Sequence, residues 1–292
     1  MQGQTVRIVS QAIRYIEEHL HEKMDLDMVA SALHYSKYHL HRIFTKTVGL
    51  TIHEYVKRRQ LTEAAKLLVL SEKPILEIAL MSGYESQQAF TDIFKAMYKT
   101  APAEFRETEH FYPLQLEIHL KEEVIKMDFT KDNIKFATPA DVDDWIELVK
   151  LAIDGYPCLD KEEYMENLHQ YIADKKALIL RDEGMAVGIM GFSADTGSID
   201  FFAVHPQYRH LGITKLFLDK LVDELLCGRE ITLTTYRAGD KADTGYREEY
   251  YRLGFAEREL LVEYGYPTQR FVLLPENKEE VEYDRNTEES IS

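Results

Sequence analysis

Apolar residues in the first hundred or so positions recur at spacings of three and four, and the arrangement is written twice. The first copy reads Val29-Ala30-Ser31-Ala32-Leu33-His34-Tyr35-Ser36, then Leu40, Ile43-Phe44 and Glu54-Tyr55. The second lies about fifty residues on: Ile78-Ala79-Leu80-Met81-Ser82-Gly83-Tyr84-Glu85-Ser86, then Phe90, Ile93-Phe94 and Glu104-Phe105. Such a repeat sets the unit of architecture. From Ser36/Ser86 to Tyr55/Phe105 the copies share one offset, but Ala30/Ala79 falls one residue short, so the second turn is predicted to be one residue longer. Each copy predicts helix, tight turn, helix. Ala30 and Ala79 are small enough for two helices to cross closely, and Ser36 and Ser86 suit the free N–H groups at a helix start. Between the copies, Ile52 to Leu70 keeps helical periodicity without Gly or Pro. That predicts a strut of about 28 Å at ~1.5 Å per residue. Val6, Val9, Ile13 and Ile16 put one apolar stripe on an opening helix over Val6 to Leu20.

Beyond residue 107 the period changes. Leu114, Leu116, Ile118 and Leu120 alternate with polar residues, which fits an extra edge strand or a linker docked on one domain. Ile134 to Ala137 is strand-like, and helices are predicted over Asp141 to Ile153, with Trp145, Leu148, Val149 and Ala152 buried, and over Lys161 to Ala173. Strands follow at Ala177–Arg181, Ala186–Phe192 and Ser198–Val204, separated by turns at Asp182-Glu183-Gly184 and Asp195-Thr196-Gly197. A helix over Leu211 to Cys227, a strand over Ile231 to Thr235, a helix over Gly245 to Leu253 and strands at Leu260–Tyr264 and Arg270–Leu274 complete the pattern. The chain thus divides into an all-α double helix-turn-helix domain (1–107), a linker or edge strand (108–132), an α/β domain with a mixed sheet (133–275) and an acidic tail (276–292) whose composition predicts disorder.

The formal charge of -16 changes this picture only through its distribution. Residues 1–110 hold fourteen Lys/Arg and fourteen Asp/Glu, which leaves twenty-one against thirty-seven for the remainder. A neutral first domain with basic faces, joined to an acidic domain, is compatible with DNA binding, because net charge reports on steering and solubility. No apolar run approaches the ~18 residues of a membrane span, and no secretory start is present. Cys158 and Cys227 are far apart and match no metal spacing, so a reduced, cytoplasmic chain without membrane or metal is expected.

On each second helix the face opposite the apolar stripe carries candidate chemistry. Ser36, Lys37, Tyr38, His41, Arg42 and Thr45 mark the first, and Ser86, Gln87, Gln88, Thr91 and Lys95, with Asp92 among them, the second. Cationic, amide and hydroxyl groups hold phosphates and read base edges. The strut would place the two helices in successive major grooves, which repeat at roughly 34 Å. A helical protein-interaction module is the alternative. Phe44 with Val48-Gly49, Arg59-Gln60-Leu61 with Ala64-Ala65 and Leu67-Leu68, Ile78-Ala79 with Gly83-Tyr84, and Phe94-Lys95 with Pro102 and Phe105-Arg106 are specific motifs. On them, residues 5–106 resemble the DNA-binding module of AraC/XylS-family transcription regulators. Two positions depart from that family: Lys99 stands where Gly is usual, and Asp92 where a basic residue often sits. An acid facing phosphate implies that the first head binds more strongly than the second.

The second constellation is a strand-to-helix corner, Ile199 to Thr214. Arg209, Gly212 and Thr214 lie where unpaired N–H groups at a helix start can cradle phosphate. With Val204-His205-Pro206 before the corner and Tyr250-Tyr251-Arg252-Leu253-Gly254-Phe255 after it, residues 134–275 resemble GNAT-type acyl-CoA-dependent N-acyltransferases. The resemblance implies that Arg209, His210, Leu211, Gly212, Ile213 and Thr214 form the pyrophosphate loop, although Thr214 stands where that family has Gly or Ala. It implies that the strand splays from its neighbour and pairs the backbone of Phe202 and Val204 with pantetheine. It also implies that Tyr250, not Tyr251, protonates the departing thiolate; packing on the sheet is the plainer role for this phenol. Asp200, on the face of Phe202 and Val204 by two-residue alternation, is a candidate base or a strand cap. The polar segment Tyr236 to Thr244 either lines the acceptor side or is a solvated loop, and Tyr156, Tyr164 and Tyr171 either wall that cleft or pack elsewhere.

These features together predict a DNA-binding transcription regulator fused to a GNAT-like domain that takes acetyl-CoA, or another acyl-CoA, as co-substrate and acylates an amine. A catalytically inactive sensor of a small-molecule effector, controlling DNA binding, is the alternative. A third reading is an enzyme that uses its DNA-binding part for localisation.

Overall fold

The computed structural model describes residues 2–121, 128–152, 161–263 and 265–275. The tail from 276, Tyr156, Cys158, Ile153 and Tyr264 lie outside them. Among the described residues, no helix is long and apolar enough to cross a membrane.

Seven helices form the first domain: α1 (Gln2–Glu18), α2 (Leu26–Ala32), α3 (Lys37–Val48), α4 (Ile52–Leu70), α5 (Ile75–Met81), α6 (Gln87–Tyr98) and α7 (Pro102–Glu107). The pairs α2–α3 and α5–α6 are the two repeats. Ser36 and Ser86 cap α3 and α6, accepting from the amides of His39 and Ala89. Thr51 and Glu54 form a reciprocal capping box that starts α4. The second turn is the longer one and uses Gly83 at φ +78°. A side chain there would stand 2.7 Å from both the Gln60 amide and the Glu22 carbonyl.

The strut α4 belongs to two cores. Tyr55 and Val56 pack with Leu40, Phe44 and Val48 of the first repeat, while Leu61, Ala65 and Leu68 pack with Phe90 and Phe94 of the second. Its buried polar residues are fully engaged. Glu17 of α1 accepts from Arg59 twice, at 2.9 and 2.8 Å, and from the Tyr55 hydroxyl at 2.9 Å. The Gln60 amide donates to the carbonyls of Leu20 and Glu22.

The alternating segment after α7 is not a strand; it docks along α4. Leu114 enters the second core and Ile118 the first. Its backbone is satisfied by side chains: Leu114 and Gln115 amides donate to the Thr62 hydroxyl, and Arg59 donates to the Gln115 carbonyl. The alternation reports one face buried against a helix rather than a sheet.

The second domain is built on seven strands in the order β1-β2-β3-β4-β5-β7-β6. They are β1 (Lys135–Phe136), β2 (Ala177–Asp182), β3 (Met185–Ser193), β4 (Ser198–Val204), β5 (Ile231–Tyr236), β6 (Ala256–Glu263) and β7 (Tyr266–Leu273). All neighbours are antiparallel except β4 and β5. Helices α8 (Val142–Ala152) and α9 (Lys161–Ala173) cover one face through Trp145, Leu148 and Leu168. On the other face, α10 (Ile213–Lys220) and α11 (Tyr246–Arg252) bring Phe217 and Tyr250 against Met190, Leu233 and Phe271. The expected continuous helix from Leu211 to Cys227 is divided. A 3-10 helix spans Pro206–Leu211, Gly212 at φ +72° breaks the path, and α10 passes into a π-helical turn over Leu221–Leu225. Gly212 is the break because its left-handed backbone is strained for side-chain-bearing residues.

Candidate functional site

The first head presents Lys37, Tyr38, His41 and Arg42 in solvent, with the Tyr38 ring 80% exposed. Lys37 pairs with Asp27 at 3.3 Å. Thr45 departs from this group: its hydroxyl oxygen is buried and has no hydrogen-bond partner among the described residues, and the residue borders a cavity beside the second domain. On the second head Gln87, Gln88 and Lys95 are exposed and Thr91 is half-buried. The Gln88 amide donates to Asp92 at 2.8 Å, which occupies part of the acid's acceptor capacity. Ser36 and Ser86 serve as caps, so each side-chain oxygen already accepts a backbone proton.

In the second domain the open place is beside β4. Its one edge pairs with β3 as far as Gly188↔Val204. Its other edge meets β5 at a single register pair, Ser198↔Thr232, and beyond it the two strands have no paired residues. Phe202 and Val204 therefore border an unpaired edge on the β5 side, immediately before the Pro206 corner. Phe202 packs edge-on against Phe217 of α10. The corner is held rigidly. The His205 amide donates to the Val187 carbonyl, the Gln207 amide donates to His205 Nδ1, and the Tyr208 hydroxyl donates to Asp182 at 2.8 Å. Burial, with the charges of Arg209 and Lys121, pushes the His205 imidazole down to about 4. Nothing lies within 4 Å of where a side chain would stand on Gly212, whereas Ile213 and Thr214 turn into the protein, Thr214 being 7% exposed. The Thr214 side chain is therefore largely covered by protein. The Arg209 guanidinium lies over the Tyr246 ring at 5.4 Å.

Tyr250 is 9% exposed and packs among Phe255, Phe271 and Tyr246. Its ring is part of the core on the α10–α11 face, so packing and any chemistry use the same phenol. Asp200 does not follow the expected alternation. Gly191 faces Phe201 and Phe192 faces Ile199, which makes Asp200 the extra residue of a bulge. Its carboxylate accepts from the Tyr171 hydroxyl of α9 at 2.6 Å and from Ser198. Tyr164 accepts from the Trp145 indole at 2.8 Å and packs on Phe201. Tyr164 and Tyr171 therefore belong to the α8–α9 face.

Within the segment Tyr236–Thr244, Asp240 and Ala242 form a joint between the domains, and Thr244 borders the cavity beside Arg209. Asp240, its side chain 4% exposed, pairs with Lys99 at 2.7 Å and accepts from the Tyr266 hydroxyl at 3.0 Å. Ala242 is buried in the second helical core, and its carbonyl accepts from Arg58 at 2.5 Å. Lys99 sits at φ +63° in the C-cap of α6, the position usually given to Gly, and the ion pair holds it there. Two further contacts join the domains: Gln207 exchanges two hydrogen bonds of 3.0 Å with the Lys121 backbone, and Arg209 Cδ comes within 3.4 Å of where a side chain would begin on Gly49. Arg58, Lys46 and Asp240 gave no local signal as joint residues, because their partners lie far away in sequence.

A family model for the helix-turn-helix domain matches residues 29–108, and one for the acetyltransferase (GNAT) family matches residues 145–255. The chain is 45% identical over 102 residues to the probable transcription factor PqrA of Proteus vulgaris, covering 34% of this chain and 84% of that protein. It is 40% identical over 100 residues to the uncharacterized HTH-type transcriptional regulator YbfP of Bacillus subtilis (strain 168), covering 34% of each, so it spans about a third of that relative. Among solved structures it is similar to a GNAT-family acetyltransferase from Bacillus cereus ATCC 10987, with 12% identity, 50% of this chain and 98% of that one covered, and a TM-score of 0.39.

Proposed function

The chain belongs to the AraC family of helix-turn-helix transcription regulators and carries a GNAT-family domain behind the DNA-binding module, and on that premise we propose that it binds DNA sequence-specifically and transfers an acyl group from acyl-CoA to an amine. As a regulator it acts in the cytoplasm. Lys37, Tyr38, His41 and Arg42 make the main DNA contacts, and Gln87, Gln88, Thr91 and Lys95 make weaker ones. The observation that carries the acyl-CoA reading is the unpaired edge of β4 ending at the corner around Gly212. The pantetheine arm, a chain with two amides, pairs with the backbone of Phe202 and Val204, and the diphosphate lies against the amides after Arg209. The thioester supplies the acyl carbon to which the amine nitrogen bonds as the carbon–sulfur bond breaks. Tyr250 gives its phenolic proton to the departing sulfur, and the nitrogen loses a proton to water. Asp200 is already engaged by Tyr171, so it holds α9 to β4 rather than serving as the base.

Calorimetric titration of the full chain with acetyl-CoA tests the site, with a dissociation constant on the order of micromolar expected, equivalent to about -8 kcal/mol. Tyr250→Phe should lower acyl transfer about a hundredfold or more while CoA affinity stays nearly constant. Equal transfer rates would remove Tyr250 from the reaction. A second reading keeps ligand binding without transfer: the burial of Tyr250 and the packing of α3 on the corner both suit a sensor. Binding of acetyl-CoA without acylation of any amine in a broad acceptor screen would select it.

A further inference from the structure

The end of α3, the corner at Pro206–His210 and the start of α11 border a half-open cavity of about 200 Å³. Lys46 and Thr45 line it from the DNA-binding module, and Arg209, His210 and Tyr246 from the second domain. We propose that this cavity is a diphosphate site shared by the two domains, with Lys46 contributed by α3, so that ligand occupancy and DNA affinity are coupled. The proposal rests on the acyl-CoA reading only for the identity of the natural ligand.

Three basic side chains and one acid, Glu249, face the cavity. Burial and the charge of Lys46 hold the His210 imidazole below its ordinary range, so the fixed cations at the cavity are Lys46 and Arg209. An anion between Lys46 and Arg209 is attracted by both cations. The Thr45 hydroxyl, buried and without a partner among the described residues, can donate to a phosphoryl oxygen once its side chain turns toward the cavity that Thr45 lines. A phosphate flanked by side chains from two bodies fixes their relative position. Lys46 lies one turn beyond Arg42 on the same helix, so a ligand that grips Lys46 moves or fixes the DNA-contacting residues with it. The ligand thereby fastens the acidic domain beside the recognition helix, and DNA affinity falls. By linkage, DNA lowers ligand affinity by the same factor.

The test uses the full chain, with inorganic diphosphate and CoA as separate probes. Lys46→Ala should weaken binding of both about tenfold, the loss of one charge-assisted contact, and Lys46→Arg should restore most of it. At matched ionic strength, saturating diphosphate should lower the DNA affinity of the unmodified chain by about threefold or more, and Lys46→Ala should abolish that difference. CoA binding that is lost in Arg209→Ala but within twofold in Lys46→Ala overturns the shared site and leaves the acyl-CoA reading standing. Lys46-dependent binding of inorganic diphosphate without binding of CoA supports the shared site and overturns the acyl-CoA reading. Binding of neither probe by the folded chain overturns both.

Discussion

Arg42 and Lys46 lie four residues apart on one helix yet face different tasks. Arg42 is exposed on the face proposed to meet DNA, while Lys46 borders the second domain. Arg42→Ala should weaken operator binding by about 1–3 kcal/mol, and if the contact is to phosphate it should lower the salt slope by about one. Unchanged affinity at physiological salt would exclude α3 as the main reader. His205 makes a separate prediction. Its folded imidazole titrates near 4, below the ordinary 6.5, because burial penalises its charge. Between those values the unfolded chain binds the extra proton, so stability is fully present above about 6.5 and declines as pH falls toward 4. The full contribution is up to about 3 kcal/mol. His205→Asn retains an acceptor for the Gln207 amide and should flatten this acid limb, as read from urea midpoints at pH 7 and 4.5. An unchanged slope would assign acid sensitivity elsewhere.

Among the elements, α4 decides whether the two heads act together. It is long enough to enter both helical cores, and its polar face is tied to α1 through Glu17. Glu17→Gln leaves the Arg59 guanidinium buried with only Glu63 as an ionic partner. The expected loss is about 3 kcal/mol, the lower end for a broken buried pair because Glu63 remains. Urea unfolding of the full chain checks this, and a loss under about 1 kcal/mol would mean that apolar packing alone orients α1. The same element explains the segment after α7. A strand needs a neighbour with free backbone groups, whereas Thr62, Arg59 and Tyr55 offer side-chain partners to an extended chain.

At the scale of the whole molecule, contacts that join the two domains among the described residues include Lys99 with Asp240, Arg58 with Ala242, Lys121 with Gln207, and α3 with Arg209. Asp240 is a buried carboxylate of the joint, and it also accepts from Tyr266 and the Ala242 amide. Asp240→Asn keeps the shape and removes the charge that pairs Lys99. Trypsin cleavage after Lys241 should then accelerate roughly tenfold, since the loss of about 1.4 kcal/mol of docking raises the open population by that factor. An unaltered cleavage rate would show that Ala242 and Arg58 hold the joint without the ion pair.

The double repeat, the strut and the polar outer faces of α3 and α6 were legible from the sequence alone, because they rest on periodicity and on caps such as Ser36, Ser86 and Thr51 within a few residues of what they cap. The family-specific corner at Arg209–Thr214 was legible for a similar reason: strand, turn glycine and helix follow one another along the chain. The tertiary structure decided which polar residues are free for partners. Lys99 and Asp240 are separated by 141 residues and Arg58 and Ala242 by 184, and no local pattern distinguishes such a docked loop from a solvated one. The bulge at Asp200 likewise reverses a face assignment that alternation makes by default. Thr45 was assigned to the DNA-facing surface by helical spacing, but its hydroxyl oxygen is buried and the residue borders the cavity beside the second domain. Periodicity specifies which side of an element is apolar, but what covers the other side depends on contacts between residues the chain holds far apart.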